Sequence, residues 1–125
     1  MTNEALIALK TAIQSAIGAT PVYIGDLPEL DEICVAIRPV DGYPSTVYLG
    51  MPETLEPLVE VIVRHTDYAS GTDICSNSMK ALDGFTAEDV GILLTKLVGS
   101  PGYLGRNING FGEWHFVVHI TLTSL

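Results

Sequence analysis

The chain has 125 residues, of which 47% are hydrophobic and 17% charged, and 15 Asp and Glu against 6 Lys and Arg give a formal net charge of −9. This length predicts a single domain over residues 1–125, and the apolar content excludes a disordered or low-complexity chain. No stretch approaches the roughly 18 apolar residues of a membrane span, and six scattered cations cannot cluster on phosphates as a conventional DNA or RNA reader requires.

The first predicted element is an amphipathic helix over residues 3–17. Apolar residues recur there at helical spacing, and Thr2 or Asn3 is placed to cap the first turn. Gly18 can adopt the left-handed conformation that commonly ends a helix, and Pro21 prevents continuation. The helix is therefore predicted to pack one apolar face on the rest of the domain.

Several β segments follow, separated by acidic turns and loops. The strongest signal covers residues 58–65, where Val59, Val61 and Val63 share one face of an alternating segment. The full set of predictions is a short β segment at 21–25, an acidic turn at 26–32, a strand at 33–38, a turn at 41–42, a short strand at 46–49, an acidic loop at 50–57 and the strand at 58–65.

A second helix is predicted over residues 70–82. Ser70 and Asp73 have the spacing of a capping box, with Asp in place of Glu. Apolar side chains at helical spacing would form the buried stripe of this helix, and the pair Asp83-Gly84 ends it.

The C-terminal third predicts a β-hairpin. Its elements are an acidic turn at Glu88 and Asp89, a strand at 92–98, a turn region at 99–105, a hairpin tip at 109–110 and a final strand at 114–122. In the final strand, alternation places Trp114 and Phe116 in the core of the hairpin, and Glu113 and His115 on the opposite face. The order of elements predicts an α+β fold in which two helices flank a mainly antiparallel sheet.

Two patterns could suggest a metal or phosphate site, and neither has the required geometry. His115 and His119 share a strand face with Glu113, but they are about 13 Å apart along the strand, whereas zinc ligands lie within about 2.1 Å of one ion. The glycines of residues 99–106 resemble a phosphate-binding loop, but a hairpin follows instead of a helix, and Pro101 lacks an amide donor.

The remaining chemistry-bearing residues also favour structural roles. Cys34 and Cys75 lack CxxC or Cys/His spacing and are predicted to be ordinary buried thiols. No nucleophile-elbow pattern exposes a serine on a strained turn. The sequence therefore predicts a protein that is not an enzyme and that has no catalytic residues, bound metal or cofactor. The N-terminus lacks the basic start of a signal peptide, which favours a cytosolic location.

The order of elements and residues 101–116, PGYLGRNINGFGEWHF, together resemble the tail terminator proteins of long-tailed bacteriophages, also described as tail completion or minor capsid proteins. The shared features are a proline and an aromatic before Gly-Arg, an Asn-Gly turn and a strand of alternating aromatics. This resemblance implies a structural protein with no catalytic residues, whose ring-forming subunits assemble as a hexamer at the head-proximal end of the tail tube. The ring would stop tube polymerisation and form the surface that joins the tail to the head.

The resemblance also implies partners and a location. The partners would be other copies of the chain, the tail tube protein and a head-completion protein, at the head–tail interface of a virion assembled in the host cytoplasm. DNA would pass through the ring without specific binding, which the acidic composition favours because adhesion to phosphate would stall transit. No membrane contact is implied. The acidic residues expected at the channel or at the end surfaces are Asp41, Glu53, Glu56, Glu88 and Asp89.

Two alternatives remain open on the sequence alone. A head-completion connector would use a similar small ring-forming domain, although such connectors are usually richer in helix. A small α+β enzyme could instead form its site between subunits, with His115, His119 or Arg106. Metal analysis and a mass measurement in solution would separate such an enzyme from a structural ring protein.

Overall fold

A computed structural model describes residues 3–40, 54–55 and 57–123 of the chain. The helices are α1 (Asn3–Ile17) and α2 (Tyr68–Leu82), and a 3-10 turn covers Glu88–Val90. The strands are β1 (Val22–Ile24), β2 (Cys34–Pro39), β3 (Thr54–Leu55), β4 (Leu58–His65), β5 (Ile92–Arg106) and β6 (Gly112–Thr123). Two helices and a mostly antiparallel sheet confirm the predicted α+β class.

The sheet is organised around β6. Strands β4 and β3 pair with one side of β6 and β5 pairs with the other side, all of them antiparallel. Strand β2 continues the sheet beyond β4, and β1 lies parallel to β2 at the outer end. Among the described residues, the sheet therefore has a short β1 edge and, opposite it, a long β5 edge, while the two-residue β3 borders only the end of β6.

Strand alternation gives the sheet two distinct faces. The helix face lies beneath α1 and α2 and carries the core, in which Val61, Phe116 and Val118 pack with Leu9 and Ile13 of α1. We call the opposite side the open face. Its residues are Cys34, Ala36 and Arg38 of β2, Glu60, Ile62 and Arg64 of β4, and Glu113, His115, Val117 and His119 of β6.

The predicted turn region at 99–105 is wrong, because β5 continues through it. Strand β5 stays paired with β6 by absorbing extra residues, with register shifts after Val98 and before Gly105. Gly105 has a φ of 93°, a left-handed conformation that glycine adopts easily at a β-bulge. The glycines and Pro101 therefore mark irregularities of an edge strand rather than a chain reversal.

Helix α2 begins earlier than predicted, and its N-cap is Asp67 rather than Ser70. The Asp67 carboxylate accepts a hydrogen bond from the Ser70 backbone N–H at 2.9 Å. Hydrogen bonds from the side chain and backbone of Ser70 lower the pKa of Asp67, because they favour its charged form. Ser70 thus lies inside the first turn, where it supplies the donor instead of the cap.

The predictions between β2 and β4 have two outcomes. The turn at 41–42 and the strand at 46–49 lie outside the described residues. The acidic loop predicted at 50–57 is wrong at β3, whose Leu55 pairs with Leu122. Pairing of β6 with β4 ends at His119, which lies opposite Leu58, and β3 pairs with the part of β6 beyond it.

Candidate functional site

An aromatic cluster lies where α2 packs on the two C-terminal strands. The rings of Tyr68, Tyr103 and Trp114 have centroids 5.0, 5.2 and 5.8 Å apart. Trp114 is buried, whereas both tyrosines are exposed, so the cluster runs from the core to the surface. The rings border a surface cavity of about 280 Å³ between α2 and β5, which Met79 and Pro101 also line.

The close approach of α2 to this cluster depends on Gly71. A Cβ atom at this position would overlap the six-membered ring of Trp114. Trp114 and Phe116, which were predicted to form the hairpin core, lie on the helix face and are 5% and 2% exposed. Glu113 and His115 lie on the open face and are half-buried.

A polar network holds loop 25–33, which joins β1 to β2, against the hairpin that joins β5 to β6. Asp31 accepts hydrogen bonds from the side-chain amides of Asn107 and Asn109, at 3.1 and 2.6 Å. Asn107 Oδ1 accepts hydrogen bonds from the backbone N–H groups of Asn109 and Phe111, at 2.9 and 3.0 Å. These bonds fix the shape of the hairpin turn and tie it to a distant part of the chain.

Arg64 holds the same loop from the sheet side. Its side chain is 9% exposed and lies 3.7 Å from Asp31 and 3.5 Å from Glu113. It also donates a hydrogen bond to the carbonyl oxygen of Pro28 at 3.1 Å, so the loop runs across this end of the open face. Cys34, which pairs with Arg64 in the sheet, is fully buried as a result.

Both cysteines are free and buried, as predicted. Burial raises the pKa of Cys34 and of Cys75 to about 11, so both remain protonated near neutral pH. The thiolate is the nucleophile in cysteine chemistry, and these two side chains therefore have the character of inert core groups.

The middle of the open face carries a charged group around Glu60. The Glu60 carboxylate lies 3.5 Å from the guanidinium of Arg38 and 3.7 Å from Nε2 of His115. Arg38 also pairs with Asp26 of loop 25–33 at 2.8 Å. Because Arg38 and Asp26 are largely solvated, this pairing stabilises the fold only weakly. These groups border a shallow surface cavity of about 400 Å³.

The residues suggested for an enzyme site do not converge. His115 faces Glu60, whereas Arg106 points toward the hairpin tip, where it donates a hydrogen bond to the carbonyl oxygen of Gly110 at 2.9 Å. His119 lies further along β6, opposite Leu58 in β4. Within the part of the chain that the structure describes, no group of three or more His, Cys, Asp or Glu side chains could hold a metal ion.

Of the five acidic residues expected at the channel or at the end surfaces, two lie in the turn before β5. Glu88 and Asp89 are exposed, and neither forms an ion pair with another described residue. Ile92 pairs with Leu122, so this turn lies at the opposite end of the sheet from the hairpin. The other three, Asp41, Glu53 and Glu56, lie outside the described residues.

Large apolar side chains are exposed at the hairpin end and along β5. Ile108, at the hairpin tip, is 99% exposed, and Leu30, in loop 25–33, is 84% exposed. Further exposed apolar residues on β5 are Leu93, Leu94, Val98 and Leu104. Exposed apolar groups of this kind, of which β5 and the hairpin end carry several, are typical of surfaces that other proteins cover.

Sequence reasoning missed the network around Asp31 and Arg64. The partners Asp31 and Asn107 are 76 residues apart, and no local pattern connects them. The one available signal was Arg64 itself, a cation at the end of an otherwise apolar strand. Such a residue needs partners when it is buried, but its position does not say which ones.

Comparisons with known proteins give one family and one fold. The family model described as "Bacteriophage tail terminator protein" matches residues 5–124. A chain of the solved structure "Virion of native gene transfer agent (GTA) particle" is similar, with a TM-score of 0.56 and 14% identity over 90% of this chain and 84% of that chain. No curated protein sequence matches this chain. Of the described helices, none is long and apolar enough to cross a membrane.

Proposed function

This chain belongs to the bacteriophage tail terminator family, and we propose that it caps the head-proximal end of a tail tube. In this role a hexameric ring ends tube polymerisation and presents the surface that joins the tail to the head, with residues 1–125 acting as one domain. The observation that carries the proposal is the family match, which covers 5–124 and so nearly every helix and strand.

The surface of the molecule supports an assembly role. A closed ring needs two different contact surfaces on each subunit, and further surfaces for the proteins above and below it. Exposed apolar residues lie on the β5 edge and at the hairpin end, where hydrogen bonds hold the backbone in place. The family match favours a tail terminator over a head-completion connector, the neighbouring ring that the sequence left open.

The proposed partners are the tail tube protein on one side and a head-completion protein on the other, with DNA passing through the ring. The net charge of −9 on each subunit supports transit without adhesion, because phosphate is repelled. Glu88 and Asp89 are proposed to face the channel or an end surface. The same role is proposed for Asp41, Glu53 and Glu56, which lie outside the described residues.

Electron microscopy of purified protein mixed with tail tubes tests the capping role. We expect extra density at one end of each tube, and tubes that stop elongating once the protein is added. Density along the sides of the tubes, or continued elongation in its presence, would contradict capping. A mass measurement of the capped assembly tests the hexamer, and a strictly dimeric particle in solution and on tubes would contradict a ring.

A DNA-binding measurement tests the channel separately. The unmodified protein should show no binding in about 0.1 M salt, where a Debye length of about 10 Å leaves close charges unscreened. Replacing Glu88 and Asp89 with Lys should create weak, salt-sensitive binding. The control replaces Glu4 and Asp73, exposed residues of the two helices, with Lys and so has the same net charge. Micromolar affinity of the unmodified protein for DNA would refute the role of a passive channel.

A further inference from the structure

We propose that neighbouring subunits meet edge to edge, with the β5 edge of one copy against the β1 edge and loop 25–33 of the next. The inference rests on the proposed function, because it names the two surfaces that close the ring. The two surfaces are different, so the contact is heterologous, as any cyclic ring larger than a dimer requires.

The two edges carry opposite charges. Strand β5, residues 92–106, contains Lys96 and Arg106 and no carboxylate. Residues 22–33, which form β1 and the loop after it, contain no cation. Their four carboxylates are Asp26, Glu29, Asp31 and Glu32. The whole chain has 15 acidic and 6 basic residues, so an edge strand whose charged residues are all basic is unusual. Such an edge is well suited to the acidic edge of a second copy.

The opposite charges lie on the same face of the sheet. Lys96 pairs with His119 and therefore belongs to the open face. Loop 25–33 crosses the open face too, since its Asp26 lies 2.8 Å from Arg38. When the sheets of two copies meet edge to edge, their open faces become continuous. Because Lys96 pairs with His119 while the loop is held near Arg64 and Glu113, the proposed contact includes an offset of the two copies along the strands that brings Lys96 of one copy to the acidic loop of the next.

One cation and one carboxylate are available for this contact. In the described part of the chain, neither Lys96 nor Glu29 forms an ion pair, and both are exposed. Asp31 already accepts hydrogen bonds within its own subunit, and a hydrogen bond with Tyr23 engages Glu32. Glu29 is therefore the carboxylate that we assign to Lys96 of the neighbouring copy.

Apolar side chains surround the charged groups on both edges. Leu94 and Val98 flank Lys96 on the open face of β5, and both are exposed. Ile24 of β1 and Ile33 at the end of the loop are also exposed. Burying these side chains would drive association, while the charges determine which edge meets which.

The regular part of β5 is the part that suits an edge contact. Residues 94–98 pair with β6 without interruption, whereas the register shifts after Val98 bend the rest of the strand. Bulges of this kind discourage pairing with another chain. The contact is therefore assigned to the half of β5 that contains Lys96, and the bulged half of β5 with the hairpin tip at Ile108 remains available for other partners.

A charge-swap experiment tests this contact. We expect Lys96→Glu and Glu29→Lys each to weaken subunit association about tenfold, because each places like charges together. The double variant should recover association, and so should an equimolar mixture of the two single variants, in which each contact joins unlike charges. Sedimentation over a concentration series and mass measurement on tail tubes provide the readout. Lys80→Glu, an exposed cation of α2 outside both edges, is the control.

The outcomes separate this contact from the proposed function. Recovery by both the double variant and the mixture supports the heterologous contact. Normal association of Lys96→Glu, or a folded double variant that stays as weak as the single variants, overturns it; far-UV circular dichroism checks the fold. If Lys96→Glu associates normally and still caps tubes, the edge contact fails and the capping role stands. If the unmodified protein never caps a tube, the proposed function fails.

Discussion

The two faces of β6 follow the same alternation but have different surroundings. On the helix face, Trp114 and Phe116 are packed against α1 and α2 and lie in the core. On the open face, His115 is half-buried, and the cover over this face is loop 25–33, which crosses the hairpin end. The comparison teaches that packing on one face fixes the fold, whereas the other face is shaped by polar contacts and leaves surface for assembly.

The strongest test of this comparison removes the largest side chain from the helix face. Trp114→Ala should lower the free energy of unfolding by about 3–5 kcal/mol, because it leaves a large cavity in the core. Urea unfolding followed by circular dichroism measures the loss. Tyr68→Ala is the control from the same aromatic cluster, and it should cost less because Tyr68 is exposed. Equal losses would mean that the cluster is not anchored in the core through Trp114.

A second test fills the helix face instead of emptying it. Gly71→Ala should cost about 1–3 kcal/mol, because the added Cβ overlaps the Trp114 ring and must displace α2 or the indole. Gly102→Ala provides a matched control, since a Cβ at that position meets no atom within 4 Å. Thermal or urea unfolding of the two variants compares them directly. A neutral Gly71→Ala would show that α2 packs less closely on β6 than described.

The open face has its own stabilising contact at the hairpin end, and a third test breaks it. Asp31→Ala should cost about 1–3 kcal/mol, because it leaves two asparagine amides without their acceptor and removes one of the two carboxylates beside the buried Arg64. Asp26→Ala removes a carboxylate whose side chain is 86% exposed and should cost less than about 1 kcal/mol. If urea unfolding shows a larger loss for Asp26→Ala than for Asp31→Ala, loop 25–33 is held mainly at Asp26, the end next to β1.

Thiol labelling tests the same loop contact by comparing the reaction rates of the two cysteines in one protein. In the unmodified protein, Cys34 and Cys75 should both react slowly at pH 8, since burial raises the pKa of each to about 11 and both remain protonated. Asp31→Ala should speed labelling of Cys34, which lies beneath the loop, and leave Cys75 beside α2 unchanged. Mass spectrometry distinguishes the two sites, and equal acceleration of both would indicate general unfolding instead of release of the loop.

The smallest expected effects belong to the histidines of the open face. His115→Ala and His119→Ala should each change the free energy of unfolding by no more than about 0.5 kcal/mol, because their surroundings are partly solvated. The same urea measurement applies. A histidine variant that loses more stability than Trp114→Ala would reverse the assignment of the two faces.

Periodic segments of the fold could be predicted from the sequence, and segments whose structure depends on a partner could not. The apolar periodicity of α1 and the alternation of β4 and β6 gave their faces correctly, because burial on one side imposes the pattern. The glycines and Pro101 of β5 indicate a turn when taken alone. Pairing with β6 over Ile92–Arg106 keeps them in a strand, and no local rule contains that information.

The candidate surfaces also combine features that the sequence predicts with features that depend on the folded sheet. Glu88 and Asp89 lie on the surface, and the role expected for them at the channel or an end surface stays a prediction. The contacts of Asp31 with Asn107 and Arg64 join segments that only the folded sheet brings together. The difference in charge between the two edges also required the strand order, which shows which residues are outermost.

The central position of β6 has a consequence for the order in which the protein can be made. Strands β4 and β5 are translated before residues 112–123, and until β6 is made each lacks the neighbour that lies between them in the finished sheet. A truncated product that stops before Gly112 would leave β5 without its partner and one edge of β4 open, a state prone to aggregation. The complete sheet, with β4 and β5 held on either side of β6, can therefore form only after the last strand has been made.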